Sequence, residues 1–222
     1  IPAATAAGVD AGFSFTHRHQ SSAVAFVTGQ EAGDRNRSHL DYSALARFPG
    51  TLVFYMGLAR LKMICDRLME FGKSPSTPSA VVSHASLPDQ QVVASDLSRL
   101  AETVAQCRLS DPSLIVVGEC VGQRDAPSWF EILPLFGLRI GITRPEHQAA
   151  EVSQAVVRAG GQPVLLPMVR IRPPDDDQCQ VLNTAIDELA EYDWLILTCA
   201  NAVRGFMERL WSRGLDTRHL QQ

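Results

Sequence analysis

Four short apolar runs, each stopping in small residues, constrain this chain more than any other feature. They read SAVAFVTG (22–29), TLVFYMG (51–57), AVVSHAS (80–86) and SLIVVG (113–118). Runs of this length, rich in valine and isoleucine and bounded by glycine or serine, predict buried strands. Between them lie segments of helical period. Leu61, Ile64, Leu68 and Phe71 recur on one face with Gly72 as the stop, and Leu97, Leu100, Val104 and Cys107 follow the same spacing. Asp41 is placed to cap a helix in DYSALARF (41–48), SPSTPS (74–79) reads as a loop, and QVVASDL (91–97) reads as a further strand.

The texture changes at DAPSWFEILPLFG (125–137), where two prolines and bulky aromatics without periodicity predict a linker. Beyond it strands and helices alternate. LRIGIT (138–143), PVLLPMV (163–169) and WLIL (194–197) are the expected strands. The helices carry Val152, Val156 and Ala159 after Pro145, then Val181, Ala185, Ile186 and Leu189, then the segment VRGFMERLW (203–211). RPPDDD (172–177) is a polar crossing and TCAN (198–201) a turn. That order predicts parallel strands covered by helices. The expected class is therefore α/β in two domains, 1–133 and 134–222.

A net charge of −4 argues against a partner held by bulk phosphate attraction, so no nucleic-acid role is expected. The five cysteines are scattered without a C-x-x-C pair, which predicts neither zinc knuckle nor disulfide framework and points to a reducing cytoplasm. No apolar run approaches the roughly 18 residues of a membrane span. His17 and His19 stand two apart with no third ligand at metal spacing, so no metal is expected. Phosphate-loop, dinucleotide and nucleophile-elbow motifs do not occur. The start at Ile1 in IPAATAAG and the stop after HLQQ suggest a piece of something longer.

In α/β folds ligands lie outside strand ends, where small side chains let the backbone come close. IPAATAAG and the ends of TLVFYMG, AVVSHAS and SLIVVG are candidates for such a site, or ordinary core strands ending in turns. Met56 suits a nucleoside or sulfonium because its thioether is apolar and polarizable, with Gly57 clearing room beside it.

AGFSFTHRHQSSAVAFVTGQE (11–31), GTLVFYMG (50–57), AVVSHASLPDQQVV (80–93) and SLIVVGECVG (113–122) together resemble the C-terminal half of uroporphyrinogen-III C-methyltransferases of the tetrapyrrole methylase family. The resemblance covers residues 1–129 and is most specific at THR and YMG. It implies S-adenosyl-L-methionine as methyl donor, a small-molecule tetrapyrrole substrate and a homodimer. It also implies cofactor contacts at Pro2, Ala3, Met56 and Ala85, and substrate contacts at Thr16, His17 and Arg18. A guanidinium at Arg18 would grip one of the substrate's carboxylates, although a surface ion pair would also account for it. Pro2 replaces a threonine, Gln30 a histidine, and Asp89 and Gln91 stand at often basic positions. The family's glycine-rich G-x-G-P-G-D loop has no counterpart here. These residues alone are not expected to methylate.

LRIGITRP (138–145), the IRPPDD stretch (171–176) and YDWLILTCANAV (192–203) resemble the opening part of uroporphyrinogen-III synthase over 138–220. The implied fold is a tetrapyrrole-methylase C-terminal mixed-sheet domain followed by a partial flavodoxin-like α/β region. Thr198 and Asn201 become candidate substrate-binding residues at a helix start, with Cys199 in place of a serine; a plain helix cap at Thr198 or Asn201 is the alternative. The expected activity is that of a bifunctional tetrapyrrole enzyme, with a non-catalytic binding module of the same fold as the alternative.

Overall fold

The computed structural model describes residues 3–29, 40–124, 126–172 and 174–220. Pro2 and Gln30 therefore lie outside the described residues. The chain packs as two units, Ile1–Met168 and Val169–Gln222.

The first unit opens with α1 (Ala3–Asp10) and continues through β1 (Val24–Thr28), α2 (Tyr42–Arg47), β2 (Thr51–Tyr55), α3 (Leu61–Glu70), β3 (Pro78–Ser83), β4 (Gln91–Asp96), α4 (Leu97–Ala105) and β5 (Ser113–Val117). These strands form one mixed sheet in the order β1-β2-β5-β3-β4. β1 runs parallel to β2, while β5 is antiparallel to both β2 and β3, and β4 to β3.

Both faces of the sheet are covered, which explains why β2, β3 and β5 read as unbroken apolar runs. Alternate side chains go opposite ways. Leu52, Phe54, Val81, Ile115 and Val117 meet Leu61, Ile64 and Leu68 of α3 and Leu97, Leu100 and Val104 of α4. Val53, Ala80, Val82, Leu114 and Val116 face α1, whose Ala4 and Ala7 are fully buried and let the helix lie close. Asp41 caps α2 as expected, accepting from the Ala44 amide at 2.9 Å, and Gly72 ends α3 at φ 100°. Phe71 and Cys107, expected on the buried faces, are exposed because each lies past the last turn of its helix.

The segment expected to be a linker is anchored. Arg124 pairs with Glu131 at 2.7 Å and donates through Nε to the Ala11 carbonyl, Ser128 donates to the Asp10 carbonyl, and Trp129 donates to the Val9 carbonyl. Three consecutive carbonyls at and just past the end of α1 thus receive side-chain donors from 124–129, Val9 alongside the Gly12 amide at 3.3 Å. After it, β6 (Arg139–Ile142) and β7 (Gln162–Leu165) pair in parallel across α5 (Ala150–Arg158). β7 is shorter than PVLLPMV, and Leu165, Leu166 and Met168 are exposed.

The second unit is a helix pair, α6 (Asp176–Asp187) and α7 (Ala200–Ser212). Ile186, Phe206 and Leu210 form its core, and Arg213 ties α7 to Asp187 and the Asn183 carbonyl. Asp175 and Gln178 make a reciprocal capping box at the start of α6. WLIL does not form the expected strand: it makes no ladder, and Trp194 is 83% and Ile196 76% exposed. A strand needs a neighbour for its backbone groups, and no described residue of this unit supplies one. Val181 is likewise exposed. Among the described residues no helix is long and apolar enough to cross a membrane, and no group of three His, Cys, Asp or Glu could hold a metal ion.

Candidate functional site

A cleft of about 590 Å³ opens at the ends of β2, β3 and the start of β5, against α1. Ala3 and Ala6 of α1, Met56, Ala59, Ala85 and Ser86 line it, together with Tyr55 and the Asp111–Leu114 segment. Its size falls within the range of small-molecule sites. Four alanines give shallow apolar walls on which a flat ring can lie, and the serines, Tyr55 and Asp111 offer a few polar groups. The residues present fit a nucleoside.

The backbone at the rim is unusual. Met56, His84 and Ser86 adopt left-handed φ values of 52°, 51° and 65°. Such conformations cost non-glycine residues about 1–2 kcal/mol each and gather at ligand sites. At Met56 the reversal turns the side chain out of the sheet's alternation, leaving it 58% exposed beside the cleft. Gly57 has a different role from the one expected. A β-carbon there would meet Ile115 Cδ1 at 2.6 Å and Ile64 Cδ1 at 3.1 Å, so the missing side chain makes room for the core and not for a ligand.

Side chains that no sequence pattern marks hold this rim in place. Tyr55 Oη accepts from the Ala4 amide at 3.2 Å, fixing the start of α1. Gln90, almost fully buried, accepts from the Ser86 amide at 3.0 Å and donates to the Asp10 carbonyl at 3.0 Å. Ser86 Oγ donates to Asp10 Oδ2 at 2.5 Å. The loop 84–90 and the end of α1 are therefore one hydrogen-bonded assembly. The signal for Gln90 was its neighbourhood in LPDQQ; nothing in the spacing separates it from exposed Gln91.

Of the four residues proposed against the cofactor, Ala3, Met56 and Ala85 converge on this cleft. Thr16, His17 and Arg18 do not line it. They occupy an exposed turn closed by the His17–Ser21 bridge, where His17 and His19 stack edge-on at 5.7 Å. Ser21 anchors that turn, its buried hydroxyl lying 2.9 Å from Thr51 Oγ1, which in turn donates to the Phe15 carbonyl at 2.7 Å. In the second unit the cap of α7 is Cys199, whose sulfur accepts from the Ala202 amide at 3.4 Å, and not Thr198 or Asn201. Thr198 is exposed just before the helix and Asn201 is partly buried in its first turn. Neither lines the adjoining apolar groove of about 540 Å³, which runs from Leu182 and Leu189 to Trp194, Leu197 and Phe206.

The tetrapyrrole (corrin/porphyrin) methylase family matches residues 1–101, and the uroporphyrinogen-III synthase HemD family matches residues 150–222. A porphyrin biosynthesis protein HemD of Ruminiclostridium josui is 29% identical over 99% of this chain and 43% of its own length. A uroporphyrinogen-III C-methyltransferase of Bacillus subtilis is also 29% identical, over 99% of this chain and 44% of its own. A siroheme synthase of Saccharophagus degradans is 38% identical over 59% of this chain and 29% of its own. The chain thus spans less than half the length of the relatives it matches. Tetrapyrrole methylases use S-adenosylmethionine.

Proposed function

We propose that this chain, in which a tetrapyrrole methylase segment leads into a uroporphyrinogen-III synthase segment, carries one half of an S-adenosylmethionine site and the opening part of a synthase. The complete enzyme would transfer two methyl groups to uroporphyrinogen III, giving precorrin-2, and would close hydroxymethylbilane to uroporphyrinogen III. In this reading the domains divide at residues 133/134, and the whole enzyme is a cytoplasmic homodimer. The observation that carries this reading is the convergence of Ala3, Met56 and Ala85 on one cleft at the ends of β2 and β3.

S-adenosylmethionine, when bound, supplies an electrophilic methyl on a sulfonium. The chain's residues would bind and orient it. Ala3, Ala6 and Ala85 would offer flat apolar contact to the nucleoside, and the Met56 thioether would add a polarizable contact beside them. Arg18, exposed on its turn, is the residue proposed to draw in the acidic tetrapyrrole, and Thr198 and Asn201 are proposed contacts for the synthase substrate. Holding two reactants in line is the main catalytic contribution such a site can make to transfer at an electron-rich ring carbon.

Calorimetric titration of the chain with S-adenosylhomocysteine tests the reading. Saturable binding at one site per chain is the expected result. A complete absence of binding, both by this chain and by a polypeptide extended to the length of its relatives, would leave only the non-catalytic module.

A further inference from the structure

His84 joins β3 to the cleft residues Ala85 and Ser86, and its ring faces two groups that can only accept. Nδ1 lies 2.6 Å from Asp89 Oδ2, and Nε2 lies 3.1 Å from the Asp111 carbonyl oxygen, with Ser110 Oγ at 3.2 Å from the same nitrogen. A neutral imidazole has one N–H, and neither a carboxylate nor a carbonyl has a proton to give in return. The imidazolium satisfies Asp89 and the Asp111 carbonyl together, whereas the neutral ring keeps Asp89 through Nδ1–H, takes the Ser110 hydroxyl proton at Nε2 and gives up the Asp111 carbonyl. The hydrogen bonds to Asp89 and to the Asp111 carbonyl raise the His84 pKa above its ordinary value, with burial opposing them.

The two bonds connect two stretches of the rim. Asp89 belongs to the loop that presents Ala85 and Ser86, and Asp111 begins the segment that lines the cleft through Leu114. The backbone follows the same path, because the His84 amide donates to the Pro112 carbonyl at 2.9 Å and Ser83 Oγ donates to the Ser110 carbonyl at 2.6 Å. The other ionisable groups bonded into this rim are acidic. The Asp111 carboxylate accepts from Ser113 Oγ, and Asp10 accepts from Ser86 Oγ. Among the described residues no competing cation takes part in these bonds.

We propose that His84 and Asp89 form a protonation-dependent brace that sets Ala85 and Ser86 at the cleft, which makes His84 a positioning residue for the nucleoside. The proposal rests on the cofactor reading above. It also gives Asp89 a partner within the chain, at a position where the family resemblance pointed to a missing basic contact. A brace made by the protonated ring is complete at pH below the ordinary histidine value. Its bond to the Asp111 carbonyl is lost as pH rises through the raised value, leaving the neutral ring with Asp89 and the Ser110 hydroxyl and so loosening the brace.

The test is a pH titration of the whole chain followed by nuclear magnetic resonance, reading the His84 ring and the Ala85 and Ser86 amides, with S-adenosylhomocysteine affinity measured across the same range. The His84 midpoint is expected above about 6.5, with both amides shifting at that midpoint and affinity falling roughly five- to tenfold across it. Asp89→Asn, at an exposed carboxylate, should lower the midpoint and flatten the affinity profile without unfolding the protein. A His84 midpoint at or below the ordinary value, or amides that ignore it, would overturn the brace. If midpoint and amides behave as expected while no nucleoside binds at any pH, the brace is upheld and the cofactor reading fails.

Discussion

Arg124→Met is expected to remove about 3 kcal/mol of stability from the first unit. Arg124 and Glu131 are 16% and 14% exposed, and Arg124 Nη2 lies 2.7 and 2.8 Å from the two carboxylate oxygens of Glu131. Removing the guanidinium leaves that carboxylate covered, with the Ser128 amide at 2.7 Å as its remaining donor. It also strips the Ala11 carbonyl of its donor. Taking away one partner of a covered pair costs more than the pair is worth. The double variant Arg124→Met/Glu131→Leu should therefore recover most of the loss. Urea denaturation followed by Trp129, the tryptophan of this unit, reads both as changes in midpoint at constant slope. A loss below about 0.5 kcal/mol, the scale of an ordinary surface change, would show that the segment is only draped over α1.

The second large effect is expected at Met56, where two substitutions separate stability from binding. Met56→Asp places a carboxylate on the cleft wall, and aspartate tolerates the left-handed backbone there. Because S-adenosylhomocysteine carries an uncharged thioether, the new carboxylate gains no sulfonium to pair with. Losing a buried methionine contact removes roughly 1.5–3 kcal/mol of binding, tenfold or more. Folding stability should stay within about 0.5 kcal/mol, since the side chain is exposed without ligand. Met56→Gly should bind poorly too, yet unfold later. It recovers the left-handed penalty of about 1–2 kcal/mol and gives back roughly 0.5–1 kcal/mol to glycine's chain entropy. Calorimetry and urea midpoints on the three proteins check this; unchanged binding in Met56→Asp would make Met56 plain surface.

The central strands β2, β3 and β5 were legible because they are buried on both faces, so each is an apolar run ending in small residues. Their order was not legible. β5 inserts between β2 and β3, and nothing along SLIVVG encodes its neighbours. The cleft was half visible, since Met56 and Ala85 follow strands and their sequence neighbours carry the family pattern. The way its rim is held was not visible, because it rests on left-handed non-glycine residues and on Gln90, whose buried amide has the same letter as its exposed neighbour. The anchored 124–131 segment read as a linker because its stabilising contacts are hydrogen bonds to α1, far away in sequence. WLIL read as a strand because its residues favour one, and propensity does not supply a partner.

Methyl-labelled methionine offers the most direct measurement of the central claim, that the cleft beside Met56 receives the nucleoside. The chain has five methionines, and Met63 and Met69 pack against the opposite face of the sheet. On saturation with S-adenosylhomocysteine the Met56 methyl resonance is expected to shift while those of Met63 and Met69 stay in place. Saturable binding with an unmoved Met56 resonance would contradict it.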